Sequence, residues 1–363
     1  MPSSYIGRWL FTSDHLEPGY LRIEDGSVAE VCSGDAPSDS GHTLVLPSFV
    51  NAHTHIGDSV AYPAPAGSLD EIVAPPSGYK HRILRSASRS AKIDAMRRAM
   101  TLMTRTGTSD FIDFREEGIE GVMALKEAVS SESARPTILG RPASTEFVPE
   151  EIDALIGSCS GVAMSAVRDW DYSMLSSLSE RAKAAGKRFS VHASEAVRED
   201  IDKVLNLKPD FVVHMTKATQ SDLERCANAG VAIVVCPRSN QFFGLMPHLG
   251  MLKKAGIELA LGTDNGMVSR PDMMEEMKAA YRLSHGPGGF EPAEIISLAT
   301  AGGRKVLNAE AKITTEIDAK SDLTVVRIRG DDPLLEVVTE TSWRDIHAVV
   351  SGGRVRRSET WRT

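Results

Sequence analysis

The chain has 363 residues, of which 42% are hydrophobic and 25% charged, and its net charge is −8. That length and balance fit a globular protein with one large α/β barrel or two to three domains. The acidic charge, with no basic stripe interleaved with aromatics, argues against a nucleic-acid partner. The longest apolar runs, such as Val231–Cys236, are far too short to span a bilayer.

No signal peptide is expected, because Asp14 and Glu17 interrupt the N-terminal stretch before any apolar segment forms. Residues 1 to about 47 show short strand patterns at Ile6–Phe11, Gly19–Glu24 and Val28–Cys32. A similar pattern returns from about Thr314, in Asp322–Arg329 and Asp345–Val355, with a Ser351-Gly352-Gly353 turn. We expect the two ends, 1–47 and 310–363, to pair into one small β-sandwich, split by the segment 48–309. Cys32, Cys159, Cys226 and Cys236 are widely spaced and form no CxxC pair, so disulfides are not expected and a cytoplasmic location is.

The middle of the chain alternates strand and helix patterns. Apolar, β-branched strand candidates are Val45–Ala52, Ser109–Phe114, Thr137–Pro142, Val162–Val167, Phe189–His192, Phe211–His214, Ala232–Pro237 and Leu259–Asp264. Helical spacing is clearest in Asp94–Arg105, Gly118–Ser130, Ser173–Ala185, Ser221–Ala229 and Asp272–Ser284. Such repeats over about 250 residues predict a (β/α)₈ TIM barrel. An open doubly wound sheet is the alternative, but it would gather polar residues at one switch point instead of at many strand ends. The Pro/Gly/Ala-rich loop Ala61–Tyr79 follows the first strand and could cover a site there.

The strand ends carry the chemistry. His53 and His55 close the first strand and, two apart, point to one face, where two imidazoles suit one metal ion. The fifth strand ends in His192, the sixth in His214 and the eighth in Asp264. A barrel brings all these ends to one mouth. Any one of them alone reads equally well as an ordinary polar residue at the start of a loop.

The motifs NAHTH, VHASE, VVHMT, CPRSN and GTDN together resemble the amidohydrolase superfamily over essentially the whole chain. In detail the chain looks most like the cytosine deaminase, chlorohydrolase and adenosylhomocysteine deaminase branch. Within it, the HTHIGDS and DFRE motifs resemble uncharacterised archaeal-type members. The resemblance implies that His53, His55, His192 and Asp264 hold one divalent metal, zinc first and ferrous iron as the alternative. It implies that His214 hydrogen-bonds the metal-activated water, that Asp264 also accepts its proton, and that Glu195 carries a proton to the leaving group. By local pattern alone, Glu195 reads as a first-turn helix glutamate behind a possible cap at Ser194. The fourth strand, Val162–Val167, lacks the lysine with which the family's binuclear branches bridge two metals. Glu146, after the third strand, is the one alternative ligand.

Arg115, Arg141 and Arg238 follow strand ends and are candidates for binding an anionic substrate. Asp113, Glu116 and Asp169 could instead pair with such arginines as scaffold. Lys80 and His81 could also reach the mouth, Asp58 could touch substrate or a ligand, and Ser239 and Asn240 help shape the seventh loop. The expectation is a metal-dependent hydrolase that deaminates a nucleobase-like or other amidine-containing heterocycle. Hydrolysis of an amide, lactam or C–Cl bond is the rival chemistry, and a non-catalytic metal-binding barrel the rival class. The expected partner is a small molecule, with no nucleic acid or membrane; a homodimer is the base-rate assembly.

Overall fold

A computed structural model describes the chain except for residues 1–2, 13–14, 75–76, 132, 145, 147, 287, 308–316 and 360–363. The first strands are β1 (Ser4–Ile6), β2 (Trp9–Thr12), β3 (His15–Glu24), β4 (Ser27–Ser33) and β5 (Thr43–Pro47). The inner series follows as β6 (Phe49–His55), β7 (Thr108–Arg115), β8 (Arg135–Gly140), β9 (Gly161–Met164), β10 (Arg188–Ala193), β11 (Phe211–His214) and β12 (Ala232–Val235). It ends with β13 (Leu259–Leu261) and β14 (Asp264–Asn265). The chain then returns through β15 (Leu323–Arg327), β16 (Ile346–Ser351) and β17 (Arg354–Arg357).

The inner sheet is parallel throughout and runs in chain order from β6 to β13, with β14 on the far side of β6. β13 and β14 are one barrel strand interrupted at Gly262 and Thr263: its first half pairs with β12 and its second with β6. The ring therefore meets itself as a TIM-barrel-like domain. β6 and β9 are buried at every position; β9 is apolar throughout, whereas β6 buries Asn51, His53, Thr54 and His55 among its apolar residues. Ile112, Phe114, Leu139, Ala163, Val213, Val234 and Ala260 form one buried cluster on the inner strands. The helices between the strands start on side-chain caps: Ser88 accepts from Ala91 N, Asp171 from Met174 N and Thr219 from Asp222 N.

Two expectations need correction. The run Val45–Ala52 is not one strand, because Ser48 divides it between the two sheets. Nor do the chain ends form a β-sandwich. Their sheet runs β3-β2-β5-β15-β16-β17-β4, and β4 pairs back onto β3, so it is a closed barrel with β1 added beside β3. The seam is short: Arg354 pairs with Ser27, flanked by Val28 N donating to Gly353 O at 2.8 Å and Val355 N to Gly26 O at 2.9 Å. Register shifts at Arg22/Ile23 and Val325/Val326 bend strands enough to close the ring, which removes open sheet edges.

A helical segment, Leu298–Leu307, seals the barrel below β6 and β13. Its two glycines permit the approach: a methyl group on Gly302 would lie 2.2 Å from Leu259 O, and one on Gly303 2.6 Å from Val50 Cβ. Backbone and a packed β-branched side chain cannot give way cheaply. Gly302→Ala should therefore lower stability by about 1–3 kcal/mol, read from the urea midpoint; an unchanged midpoint would show that the helix simply slides.

Candidate metal centre and active site

The site sits at the C-terminal ends of the inner strands. Three of its residues hold left-handed backbone there: Ser194 (φ 48°), His214 (φ 79°) and Asp264 (φ 58°). Positive φ is costly for a non-glycine residue and clusters where side chains must be aimed. Here the bends turn the chain over the barrel mouth as it leaves β10, β11 and β13.

His53, His55, His192 and Asp264 bring ligand atoms within 4.8 Å of one another, all buried. His192 Nε2 lies 3.2 Å from His53 Nε2 and 3.3 Å from His55 Nε2. Asp264 Oδ1 lies 3.1 Å from His53 Nε2 and 3.6 Å from His55 Nε2. Donors about 2.1 Å from a tetrahedral ion stand roughly 3.4 Å apart, which is the spacing found. The donors are also in the right state. Burial lowers the His53 imidazole, pushes His55 down to about 3 and holds His192 well below its ordinary value, so all three are neutral. His192 Nδ1 donates to Met164 O at 2.8 Å, which leaves Nε2 a bare lone pair facing the cluster. Phe114 packs edge-on beneath His53, with ring centres 4.4 Å apart. This donor set fits a divalent metal ion.

Beside it, Glu195, His214 and Asp264 form a second group within 4.8 Å. Asn240 Nδ2 lies 3.2 Å from His214 Nδ1 and 3.4 Å from Glu195 Oε1, so one amide positions both. With Nδ1 accepting, the imidazole proton sits on Nε2, 3.5 Å from Glu195 Oε2. Burial pushes the Glu195 carboxyl up to about 7, against the opposing His214. Ser239 Oγ donates to Asp264 Oδ2, which leaves Oδ1 for the histidines. Burial alone would raise Asp264; its hydrogen bond with His53 is the largest influence opposing that, and the carboxyl is held well below the usual range.

His55, His192, Glu195, His214 and Asp264 line an open cleft of about 670 Å³, counted out to solvent. Leu69 and Val73 form part of its wall, from a short helix, Leu69–Val73, inside the segment expected to be a loop cover. Ser68 and Glu71 cap that helix reciprocally. Phe243 offers an aromatic face, and Lys80, Arg141 and Arg168 add positive charge.

Two of the three arginine assignments are corrected. Arg115 is 2% exposed and does not line the cleft. Side chains alternate along a strand, and on β7 Arg115 shares the side of Asp113, away from Phe114. Its guanidinium lies 2.9 Å from Glu116, 3.4 Å from Asp113 and 3.8 Å from Met96 Sδ on the covering helix Arg89–Arg105. A methyl group on Gly57 would fall 2.0 Å from Arg115 Nη1, so any side chain there would have to displace the guanidinium. Arg238 turns to the loop before the helix Met273–Ser284, donating to Arg270 O at 3.0 Å, with Glu276 3.6 Å away. Arg141 does line the cleft; its Nη1 lies 3.5 Å from Glu116 and its buried Nε has no partner. Glu146 is exposed and lies outside the metal cluster.

Glu116, read from the sequence only as a possible partner for arginine, is the hub of a buried ionic lattice. Its Oε1 lies 2.6 Å from Lys80 Nζ and 2.9 Å from His55 Nδ1. Lys80 also reaches Asp58 Oδ2 at 3.1 Å, and Asn265 Nδ2 donates to the same oxygen at 2.9 Å. Asp113 Oδ2 accepts from Ile56 N at 2.7 Å and Thr54 Oγ1 at 2.9 Å, fixing the backbone on either side of His55. Burial alone would raise Glu116; Lys80 above all holds it well below the carboxylate range.

The amidohydrolase family model matches residues 44–356, and the chain belongs to that family. A Methanothermobacter thermautotrophicus protein with a provisional aminohydrolase name is 32% identical, covering 93% of this chain and 94% of its own. A 5-methylthioadenosine/S-adenosylhomocysteine deaminase of Pyrococcus horikoshii is 25% identical, covering 95% and 91%. Among solved structures, atrazine chlorohydrolase from Arthrobacter aurescens, complexed with zinc, superposes with a TM-score of 0.77 at 17% identity, covering 98% and 95%. The expectation of a hydrolase acting on carbon–nitrogen bonds holds with the family. Among the described residues no helix is long and apolar enough to cross a membrane.

Arg115→Met leaves three buried carboxylates short of a cation. It should cost about 3–5 kcal/mol in stability while leaving KM of any folded fraction unchanged, because it removes scaffold and not a substrate contact. A raised KM with an unaltered melting transition would reverse that assignment.

Proposed function

We propose that this amidohydrolase is a cytoplasmic aminohydrolase, working with one zinc ion, that deaminates an amidine carbon of a nucleobase-like heterocycle. The observation that carries the reading is the placement of Glu195. It stands in the cleft beside His214 and Asp264, with its carboxyl pushed up to about 7 by burial, so it can both give and take a proton near neutrality.

His53, His55, His192 and Asp264 would hold the ion, which supplies a lowered pKa for water and a positive charge for the developing oxygen. The protein's own groups do the rest. Asp264 Oδ1 takes the proton of the attacking water, and Ser239 keeps that carboxylate turned inward. His214, fixed by Asn240, donates from Nε2 to the oxygen that becomes the product carbonyl. Glu195 delivers its proton to the ring nitrogen, Asp264 passes the proton it took from water to the departing amine, and Glu195 recovers a proton from the hydroxyl that becomes the carbonyl. One C–O bond forms, one C–N bond breaks, and ammonia leaves. A planar ring would lie against Phe243, and Leu69 and Val73 would exclude water from its other edge.

Arg141 gives the substrate class a second element. Its buried Nε is unpartnered and its Nη1 has only the long contact to Glu116, so it is suited to a carboxylate or phosphate on the substrate. Arg168, in the same cleft, adds charge of the same sign.

Three results would test this. A screen of purines, pyrimidines, pterins and their anionic derivatives should show ammonia release that chelation abolishes and Zn²⁺ restores; carboxylate or chloride release instead would favour the rival chemistry. Glu195→Gln should lower kcat for ammonia release by about 10²–10⁴-fold, and full turnover in that variant would sink deamination. Arg141→Met should raise KM for anionic substrates by roughly tenfold or more and leave neutral ones alone.

A further inference from the structure

The chemistry asks Glu195 to reach a ring nitrogen, yet its carboxylate is loosely held. Its contacts to Asn240 Nδ2 and His214 Nε2 are long, 3.4 and 3.5 Å. Its aim therefore comes from the backbone. That backbone is a bend: Glu195 follows Ser194, whose φ is 48°, and residues 194–200 form neither helix nor strand. A left-handed serine persists only where its surroundings over-determine it. On the carbonyl side the surroundings are the loop leaving β11, where Lys217 N donates to Ser194 O at 2.8 Å and Thr216 Oγ1 donates to Glu195 O. On the amide side they are one residue, Glu199. Its Oε2 accepts from Ser194 N at 2.9 Å while its own N donates to Ser194 Oγ at 3.0 Å, which closes the bend into a ring. Its Oε1 accepts from Arg168 N at 2.9 Å, in the turn Val167–Asp169 that follows β9.

We propose that Glu199 is a positioning residue for Glu195, holding the bend that aims the proton-carrying carboxyl at the substrate. This rests on the deaminase reading, in which Glu195 moves a proton. The ladder between β9 and β10 ends at Met164 and Val191, and past that pair the Glu199 carboxylate continues the join between the two strand exits. Glu199 lines the cleft, but each of its oxygens already takes a backbone N–H. A carboxylate engaged in two charge-assisted bonds is a strut and not a free contact for substrate. Proton transfer depends steeply on how donor and acceptor meet, so displacing the bend by about 1 Å slows that step and leaves the ring's seat against Phe243 untouched.

The experiment is a double-mutant cycle on ammonia release by the full zinc-loaded chain, with the fastest-reacting member of the panel of purines, pyrimidines and pterins as the probe. Glu199→Gln keeps the size of the side chain but turns an amide NH₂ against one of the two N–H groups. Alone, it should lower kcat about tenfold while KM and bound zinc stay within about twofold of wild type. In the Glu195→Gln background, followed in single turnovers with enzyme in excess, it should cost less than about twofold, because the group it aims is gone. A brace for the barrel at large would slow both backgrounds alike. Equal losses in the two backgrounds, an unchanged kcat, a raised KM or lost zinc each overturns the proposal. If Glu199→Gln does not fold, Glu199→Asp, which keeps the charge and shortens the reach, must show the same pattern; failure of both to fold makes Glu199 general scaffold and overturns it as well. Full turnover by Glu195→Gln, or no ammonia release by wild type from any member of the panel, removes the deaminase reading itself, a result distinct from equal losses.

Discussion

Asn51 clamps the two ends of the inner barrel together. Its Nδ2 donates to Thr263 Oγ1 at 2.7 Å and its Oδ1 accepts from Thr263 N at 2.9 Å, across the gap between β13 and β14. That side chain sets the register in which Asp264 lies opposite Thr54 and Asn265 opposite His55. Because side chains alternate, a slip of one residue would turn Asp264 out of the mouth. A methyl group on Gly262 would come within 2.7 Å of His53 Cβ, so the strand's interruption is also what lets it pass so close to the first histidine. A carboxylate and two imidazoles over 200 residues apart meet through one amide and one glycine.

The low dielectric of the barrel mouth then acts on two groups in opposite ways. The imidazoles are kept neutral by burial, which leaves them lone pairs to offer. Behind them Lys80, Arg115 and Arg141 face Asp58, Asp113 and Glu116 in a buried lattice; Lys80 above all holds Glu116 well below the carboxylate range, while burial pushes Asp58 up to about 7 and raises Asp113. Such a lattice adds little net stability, since desolvation offsets its Coulomb gain, but breaking any member leaves a buried charge alone. Its value is geometric: it sets Glu116 Oε1 2.9 Å from His55 Nδ1 and fixes the backbone beside His55 through Asp113.

The strand ends were legible in the sequence because strand periodicity and histidine are both visible at single-residue scale. His53, His55, His192, His214, Glu195 and Asp264 meet where the alternation of strands and helices predicted. Arginine roles were not legible in the same way. The parity of Arg115 on β7, next to inward-facing Phe114, already placed it outside the barrel, a signal available in the sequence. Arg238 carries no such signal, since a helix N-terminus can aim a long side chain in several directions. Glu116, Lys80 and Asp58 come from three separate segments, and nothing in the local pattern joins them. The sandwich expectation failed for a related reason. Whether a terminal sheet closes depends on bulges and on one residue pair, Arg354 with Ser27, that periodicity does not encode.

The closed terminal barrel constrains the order in which the molecule can be completed. β5 pairs with β15 residue by residue, Pro47 against Leu323, although about 275 residues lie between them, a loop whose closure costs roughly 5 kcal/mol of chain entropy. On the ribosome, β1 to β5 emerge first and find no partner for β5's outer edge until β15 is made. An unpaired strand edge in a nascent chain is a template for pairing with a neighbour. The intervening barrel shortens that search once it folds, because Phe49 N donates to Gly107 O and Thr324 Oγ1 donates to the same oxygen, which brings the departing and returning strands to one point. The enzyme domain therefore serves as the template on which its own small companion is assembled.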